Sequence, residues 1–369
     1  MLLPPQVAVN ASILGLAPTG LGQYVLGLVR SLDPLREGLT VYTSYPEVFS
    51  GLRATVRRTS PLTRPERGIR GHAARLLWCQ TALRVRVGLD RPGVLLNTLP
   101  EGILRSRVPQ VTVVHDLIPL AFPGQYPRQQ FYFRRLVPAI LRASRAVIAV
   151  SEATRREVIT TYGLRPEWVH AIPNGYDATD FAPVGPAADD GGIPYVLCVG
   201  SVLPHKNLPR LIEAVARVAR QSPVRLVIAG GGTPPRLAEL RRLAENVGSP
   251  LELMSYVPQR VLPALYRGAS LVAMPSLAEG FGLPALEAMA CGTPVVVGNR
   301  SAMPEVVGDG GLLVDPEDTD AISDAILRLL TQDPLRKELI ARGLARAAAF
   351  SWERTARQVL AVLDEAAAS

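Results

Sequence analysis

Residues 274–299, MPSLAEGFGLPALEAMACGTPVVVGN, read as strand, turn, helix and strand in quick succession. The apolar run Leu271–Pro275 suits a buried strand, and the glycine-rich turn Glu279–Gly282 follows it. Pro284 occupies a first helical position and Gly292 a helix stop. Val295–Val297 reads as the next strand, which makes a compact βαβ unit with a helix of about two turns. The turn leaves the backbone N–H groups of Phe281, Gly282 and Leu283 at a helix N-terminus, where a phosphate or a developing anion is stabilised. Glu279 precedes the helix and Glu287 lies inside it, and carboxylates accept hydrogen bonds from hydroxyls. A phosphate cradle between two such acceptors matches a nucleotide-sugar. The diphosphate takes the N–H groups, and ribose and sugar hydroxyls take the carboxylates. The plainer alternative is a structural turn with two solvated glutamates, because short glycine motifs match often by accident.

Outward from this unit, strand-like and helix-like segments alternate along almost all 369 residues. Strands are predicted at Val7–Asn10, Thr40–Ser44, Val94–Asn97, Val111–His115, Ala146–Val150 and Val169–Ile172 in the first half. In the second half they are predicted at Tyr195–Val199, Arg225–Ala229, Leu251–Ser255, Leu271–Met274 and Val295–Val297. Such alternation implies α/β architecture, with parallel sheets covered by helices on both faces. The length exceeds one typical core, and residues 183–194, PVGPAADDGGIP, are the clearest linker. Two doubly wound domains joined near residue 190 are expected, with ligands at the carboxyl ends of strands and a shared cleft as the default site.

Glu279 and Glu287 form an E-x7-E pair around Gly-Phe-Gly-Leu-Pro, and the whole string closely resembles the donor site of the family-4 retaining glycosyltransferases. That resemblance implies the GT-B fold, two Rossmann-like domains facing a central cleft. It sets an N-terminal acceptor-side domain at 1–185, a nucleotide-sugar donor domain at 186–350, and a C-terminal helix at 351–369 that crosses back to the first domain. It is strongest from 195 to 320. Tyr195-Val-Leu-Cys-Val-Gly-Ser-Val-Leu-Pro-His-Lys-Asn resembles the family's Gly-x-x-x-Pro-Arg-Lys-Asn segment, whose lysine binds donor phosphates; here that lysine is Lys206. Ser201 and His205 stand where many members carry arginine, so one cation of the leaving-group site is absent. His115-Asp116 closes the strand Val111–His115 and resembles the family's His-Asp segment, whose histidine lies near the reacting sugar. Thr19-Gly-Leu-Gly-Gln-Tyr lacks the third glycine of a dinucleotide fingerprint. It resembles the family's first glycine loop, which places Gly20 and Gly22 near donor phosphate and acceptor; a plain tight turn is the alternative. Gly230 ends a further strand and would let the nucleotide approach the backbone.

Composition narrows the partners. Residues 1–185 hold 22 arginines against 12 acids, and the remainder holds 18 basic against 20 acidic residues. A basic first half suits phosphorylated substrates or an anionic membrane. No nucleic-acid-binding motif accompanies the charge. Tyr126–Arg145 interleaves Phe131, Tyr132 and Phe133 with Arg128, Arg134 and Arg135, and Arg53–Arg86 carries Leu76, Leu77 and Trp78. Each reads either as a core helix with a solvated face or as a surface that docks an anionic membrane or a lipid-linked acceptor. No signal peptide is expected, because the uncharged first 29 residues lack a basic n-region and are broken by Pro4, Pro5, Gln6, Asn10 and Pro18. They read as a strand, a glycine loop (Gly15–Gly22) and a helix (Gln23–Leu32). No run of about 20 unbroken apolar residues would span a membrane. Cys79, Cys198 and Cys291 are far apart, which suggests reduced thiols in a cytoplasmic chain. His72, His115, His170 and His205 are scattered, so no metal site is expected. Asp318-Thr-Asp320 looks like a metal-binding D-x-D but precedes a helical run and reads as a helix cap.

Together these readings point to transfer of a hexosyl group, with mannosyl from GDP-mannose as first choice, to a saccharide or lipid-linked acceptor without a metal cofactor. The contexts of Lys206 and His115 look most like bacterial mannosyltransferases of surface polysaccharide assembly. His115, Glu279 and Lys206 are the expected reacting-site residues. Gly20, Gly22, Ser201, Gly230, Gly280, Phe281, Gly282, Leu283 and Glu287 complete the expected donor site. A non-catalytic nucleotide-sugar-binding protein or a nucleotide-sugar epimerase on the same fold are the alternatives.

Overall fold

The computed structural model describes residues 5–188 and 192–368. The chain forms two compact units. Unit 1 joins the residues up to Gly175 with those from Ser351 onward, and unit 2 is Tyr176–Phe350. Each is a doubly wound parallel sheet, the expected class.

Unit 1 holds seven strands: β1 Val7–Asn10, β2 Leu39–Thr43, β3 Thr55–Arg58, β4 Val94–Asn97, β5 Gln110–Val114, β6 Ala146–Ala149 and β7 Val169–Ala171. Their order is β3-β2-β1-β4-β5-β6-β7, all parallel. β1 and β4 are buried along their whole length, as strands covered on both faces must be. Asn10 and Asn97, their last residues, are register partners. The order of strands reverses between β1 and β4, so the loops after these two diverge and open a crevice at the carboxyl edge.

Unit 2 repeats the plan with β8 Tyr195–Val199, β9 Arg225–Ala229, β10 Leu251–Met254, β11 Leu271–Met274, β12 Val295–Gly298 and β13 Leu312–Val314. The order is β10-β9-β8-β11-β12-β13, again all parallel, and its reversal lies between β8 and β11. Its core packs Val196, Leu226, Ile228, Leu271 and Ala273 of the sheet against Leu211, Ile212 and Val215 of the helix Leu208–Ala219.

The predicted strands are present within a residue or two, and two further strands were not predicted. β3 is mostly exposed and ends in two arginines, and β13 has three residues. Both lie at sheet edges; β3 lacks the apolar run that burial on two faces enforces, and β13 is too short to show one.

Three expectations need correction. The division between units falls at Gly175–Tyr176, ahead of the expected 185/186 boundary. The 183–194 stretch is not a free linker as far as it is described: Arg267 donates to the carbonyls of Ala182 and Pro186, and Ala188 N–H donates to Ala264 O. Residues 189–191 of that stretch lie outside the described residues. Finally, Gly20 and Gly22 are not in a loop. The helix starts at Gly20 and runs to Leu32, with Gln23 N–H already donating to Thr19 O. The last helix, Trp352–Ala368, packs within unit 1, where Asp364 meets Arg36 at 2.7 Å and Thr355 donates to Pro173 O.

Candidate active site

In unit 2 the loops after β8 and β11 are stitched together across the strand-order reversal. Asn207, in the left-handed conformation at φ +58°, donates from Nδ2 to the carbonyls of Pro275 (3.0 Å) and Pro316. Leu277 N–H donates to His205 O at 2.7 Å. The stitching brings Lys206 Nζ to 2.6 Å from Glu279 Oε1, with the side chains only 14% and 9% exposed. Ser276 Oγ donates to the same oxygen at 2.7 Å. Glu279 Oε1 is thus doubly engaged, which fixes the carboxylate and turns its second oxygen to other use. Burial pushes the neighbouring His205 imidazole down to about 4, the Lys206 charge adding to the effect. His205 is therefore neutral at physiological pH and does not replace the absent arginine as a cation.

The helix Leu283–Ala290 begins beside this pair. Gly282 caps it at φ +98°, a backbone conformation that favours glycine, and a Cβ there would also crowd Met303 Sδ at 2.7 Å. Among the described residues no protein acceptor engages the N–H groups of Phe281, Gly282 or Leu283. Phe281 itself is buried, its ring edge-on to Phe350. The helix-end amides and the ammonium place several N–H donors side by side, a grouping that can stabilise an anion. Glu287 lies inside the helix and is buried, taking hydrogen bonds from Tyr266 Oη (3.0 Å) and Gln259 Nε2 (3.2 Å). Burial raises its carboxyl to about 7, against the lowering effect of both hydrogen bonds. Ser201 is exposed in the loop after β8. Gly230 has a structural reason to be glycine: a Cβ there would lie 1.8 Å from Gly200 O, so the residue serves close backbone approach between two loops. Asp318 caps the helix Thr319–Thr331 by accepting from the N–H groups of Asp320 and Ala321, the expected cap.

In unit 1 the equivalent crevice is also polar. His115 follows β5; its Nε2 lies 2.9 Å from Thr98 O and its ring meets Tyr24 edge-on at 4.7 Å. Burial pushes it down to about 4, partly countered by the bond to Thr98, so it is neutral and donates from Nε2, leaving Nδ1 as an acceptor. Asp116 closes its own turn by accepting from Ile118 N–H. Three residues that sequence reasoning did not select converge one loop away. Glu101, in the loop after β4, is 3% exposed and takes a two-pronged contact from buried Arg75: Nε to Oε2 at 2.7 Å and Nη2 to Oε1 at 3.0 Å. His72 Nδ1 joins at 2.8 Å to Oε1. Arg75 also donates to Thr63 O, and Asn10 and Cys79 donate to the Glu101 carbonyl. The available signal was the strand order, together with Glu101 being the one acid between Asp90 and Asp116.

Comparison with known proteins agrees with this geometry. Residues 18–180 match the model described as Glycosyltransferase Family 4, and residues 187–346 match Glycosyl transferases group 1. The O-antigen chain mannosyltransferase B of Escherichia coli is 32% identical over 376 residues, covering 93% of this chain and 95% of that one. The MMP alpha-(1->4)-mannosyltransferase of Mycolicibacterium hassiacum is 32% identical over 252 residues, covering 65% and 59%. Among solved structures, the sucrose-phosphate synthase of Thermosynechococcus elongatus superposes with a TM-score of 0.75 at 22% identity, covering 96% of this chain and 97% of that one. WaaG, a glycosyltransferase involved in lipopolysaccharide biosynthesis, gives 0.72 at 17%, covering 97% and 99%. These two likenesses concern the fold, GT-B. The chain belongs to glycosyltransferase family 4.

Proposed function

We propose that the protein transfers a hexosyl group, mannosyl in first place, from a nucleoside-diphosphate sugar to a saccharide or lipid-linked acceptor with retention of anomeric configuration. The observation that carries this reading is the Lys206–Glu279–Ser276 contact beside the N-terminus of the helix Leu283–Ala290. As the glycosidic C–O bond breaks, negative charge grows on the departing diphosphate. Lys206, with three N–H donors, can keep Glu279 while meeting a phosphate oxygen, and the Gly282 and Leu283 amides take the rest. The free oxygen of Glu279 accepts from a sugar hydroxyl. Glu287 retains lone-pair capacity for a ribose hydroxyl. Ammonium and amides supply the positive charge, so the reaction needs no metal and proceeds in a chelator. The mannosyl choice rests on mannosyltransferase relatives at about one-third identity. Incubation with radiolabelled GDP-mannose and a mannosyl acceptor, beside UDP- and ADP-sugars, tests it. Transfer from another donor alone would replace mannose, and no transfer or hydrolysis with any donor would sink the enzyme reading.

A lipid-linked acceptor fits the surface of unit 1. Ile69–Trp78, a π turn at Cys79–Leu83 and Arg84–Asp90 form one continuous helical run. Ile69, Leu77, Val85 and Leu89 are exposed along it. Arg70, Arg84 and Arg86 stand among them, and no acid occurs between Ile69 and Leu89. Trp78 is buried, and of Phe131, Tyr132 and Phe133 only Phe131 is exposed. No helix of the described residues is long and apolar enough to cross a membrane. Peripheral contact with the inner, anionic membrane face is the reading, each basic residue adding about 1 kcal/mol. Sedimentation with anionic and neutral vesicles at low and physiological salt checks it. Salt-sensitive pelleting with the anionic vesicles alone is expected, and no pelleting at either salt would remove membrane docking while leaving the chemistry intact.

A further inference from the structure

The cluster in unit 1 has no part in the donor chemistry above, yet it has the build of a ligand site. It sits where the strand order reverses, at the loop after β4, and Asn10 at the end of β1 ties into the same loop. That crevice is where doubly wound sheets bind small molecules. Glu101 is sealed from water and clamped by Arg75 through two bonds. His72 is the one member that reaches solvent, its side chain 34% exposed. Tyr132 braces the imidazole edge-on at 4.7 Å and is itself pinned through its hydroxyl to Pro100 O. The ring is therefore fixed at Nδ1 by the carboxylate and fixed in tilt by the tyrosine, and Nε2 carries the remaining hydrogen-bonding capacity. Burial opposes the charge on Glu101, but the His72 and Arg75 contacts outweigh it and hold the carboxyl below its usual range. An ionised Glu101 makes Nδ1 the donor, which leaves Nε2 to a hydroxyl, a group that both donates and accepts.

We infer that His72 binds a hydroxyl of the saccharide acceptor on unit 1, with Glu101 and Arg75 as positioning residues that hold its ring. This rests on the transferase reading for the ligand being a saccharide acceptor; the geometry by itself carries only the hydroxyl. A rigid imidazole aimed by a buried ion pair selects a hydroxyl in one direction, which is what distinguishing one sugar hydroxyl from its neighbours requires.

The test is saturation-transfer NMR on the full chain, with GDP present, using methyl α-mannoside, methyl α-glucoside and α-1,3-mannobiose as probes. Wild type is expected to show transfer to at least one of them. In His72→Phe, which keeps the ring against Tyr132, the affinity should fall about tenfold, the loss of one directed hydrogen bond. His72→Gln, which retains a polar tip, should recover part of it. GDP affinity by calorimetry should be unchanged in both variants, which a general loss of fold would not leave intact. No saccharide signal in wild type, or an equal signal in His72→Phe, overturns the inference. Saccharide binding lost in His72→Phe in a protein that turns over no donor would instead uphold the site and fell the transferase reading.

Discussion

The two strand-order reversals of this molecule are built alike and finished differently. In unit 2, the cation and carboxylate at the crevice, Lys206 and Glu279, come from the two diverging loops themselves and keep some contact with solvent. In unit 1, the carboxylate Glu101 comes from a diverging loop, but its partner Arg75 comes from a helix behind it, and the pair is sealed at 5% and 3% exposure. Unit 2 places an ammonium and helix-end amides at the crevice, a surface for an anion. Unit 1 buries its ion pair and presents the half-exposed imidazole of His72, which the pair supports. The same topology thus yields two recognition chemistries, according to whether the ion pair faces the ligand or supports the residue that does.

The largest expected effect breaks the unit 1 side. Arg75→Ala leaves buried Glu101 with only His72 at its carboxylate and should cost about 3–5 kcal/mol in denaturant unfolding. Lys206→Ala should cost less, about 1–2 kcal/mol, because Glu279 keeps Ser276 and some solvent. Equal losses would erase the contrast between sealed and open pairs.

A pH series sharpens the description of unit 2. The Glu287 carboxyl is raised to about 7 in the fold from an ordinary 4.5. The folded form holds this proton more tightly than the unfolded chain, so its contribution is fully present below pH 4.5 and lost as pH rises through 7. The loss is on the order of 3 kcal/mol. His205 opposes this trend in the same unit, since a depressed histidine gains stability as pH rises from about 4 toward 6.5. The comparison is therefore wild type against Glu287→Gln, melted across pH 4.5–7.5. The difference between them should narrow or reverse with rising pH; a constant difference would mean Glu287 is ionised throughout.

Turnover separates Glu279 from its fold. Glu279→Gln should keep the structure and reduce kcat/KM by about 2–3 kcal/mol of transition-state binding, as a charged acceptor of sugar hydroxyls is lost. Sugar transfer at the wild-type rate would return Glu279 to a purely structural partner of Lys206.

The difference between the units also explains what the sequence disclosed. The unit 2 site lies in two short strings, 195–207 and 274–287, so local pattern and resemblance brought Lys206, Glu279 and Glu287 forward together. The unit 1 cluster draws His72 and Arg75 from a helix and Glu101 from a loop after the next strand, and only the packing of that helical run on the sheet brings them together. No short string records that. The central strands were legible because burial on both faces demands apolar runs, as in Val94–Asn97 and Tyr195–Val199. β3 was not, since an edge strand tolerates residues such as Arg57 and Arg58, and β13 was not, since three apolar residues are too short a run to stand out. The glycines were less legible. Gly20 and Gly22 read as a loop but form the first turn of a helix, and Gly230 has a packing reason that its sequence context did not disclose, room for Gly200 O.

The central claim is that the crevice between β8 and β11 holds a nucleoside diphosphate through Lys206. Calorimetry of GDP binding to wild type and Lys206→Ala tests it most directly, because product binding involves neither acceptor nor turnover. The account predicts a specific wild-type affinity that falls about 10- to 100-fold in the variant, the loss of one charge-assisted phosphate contact. Equal affinity in both proteins would contradict it.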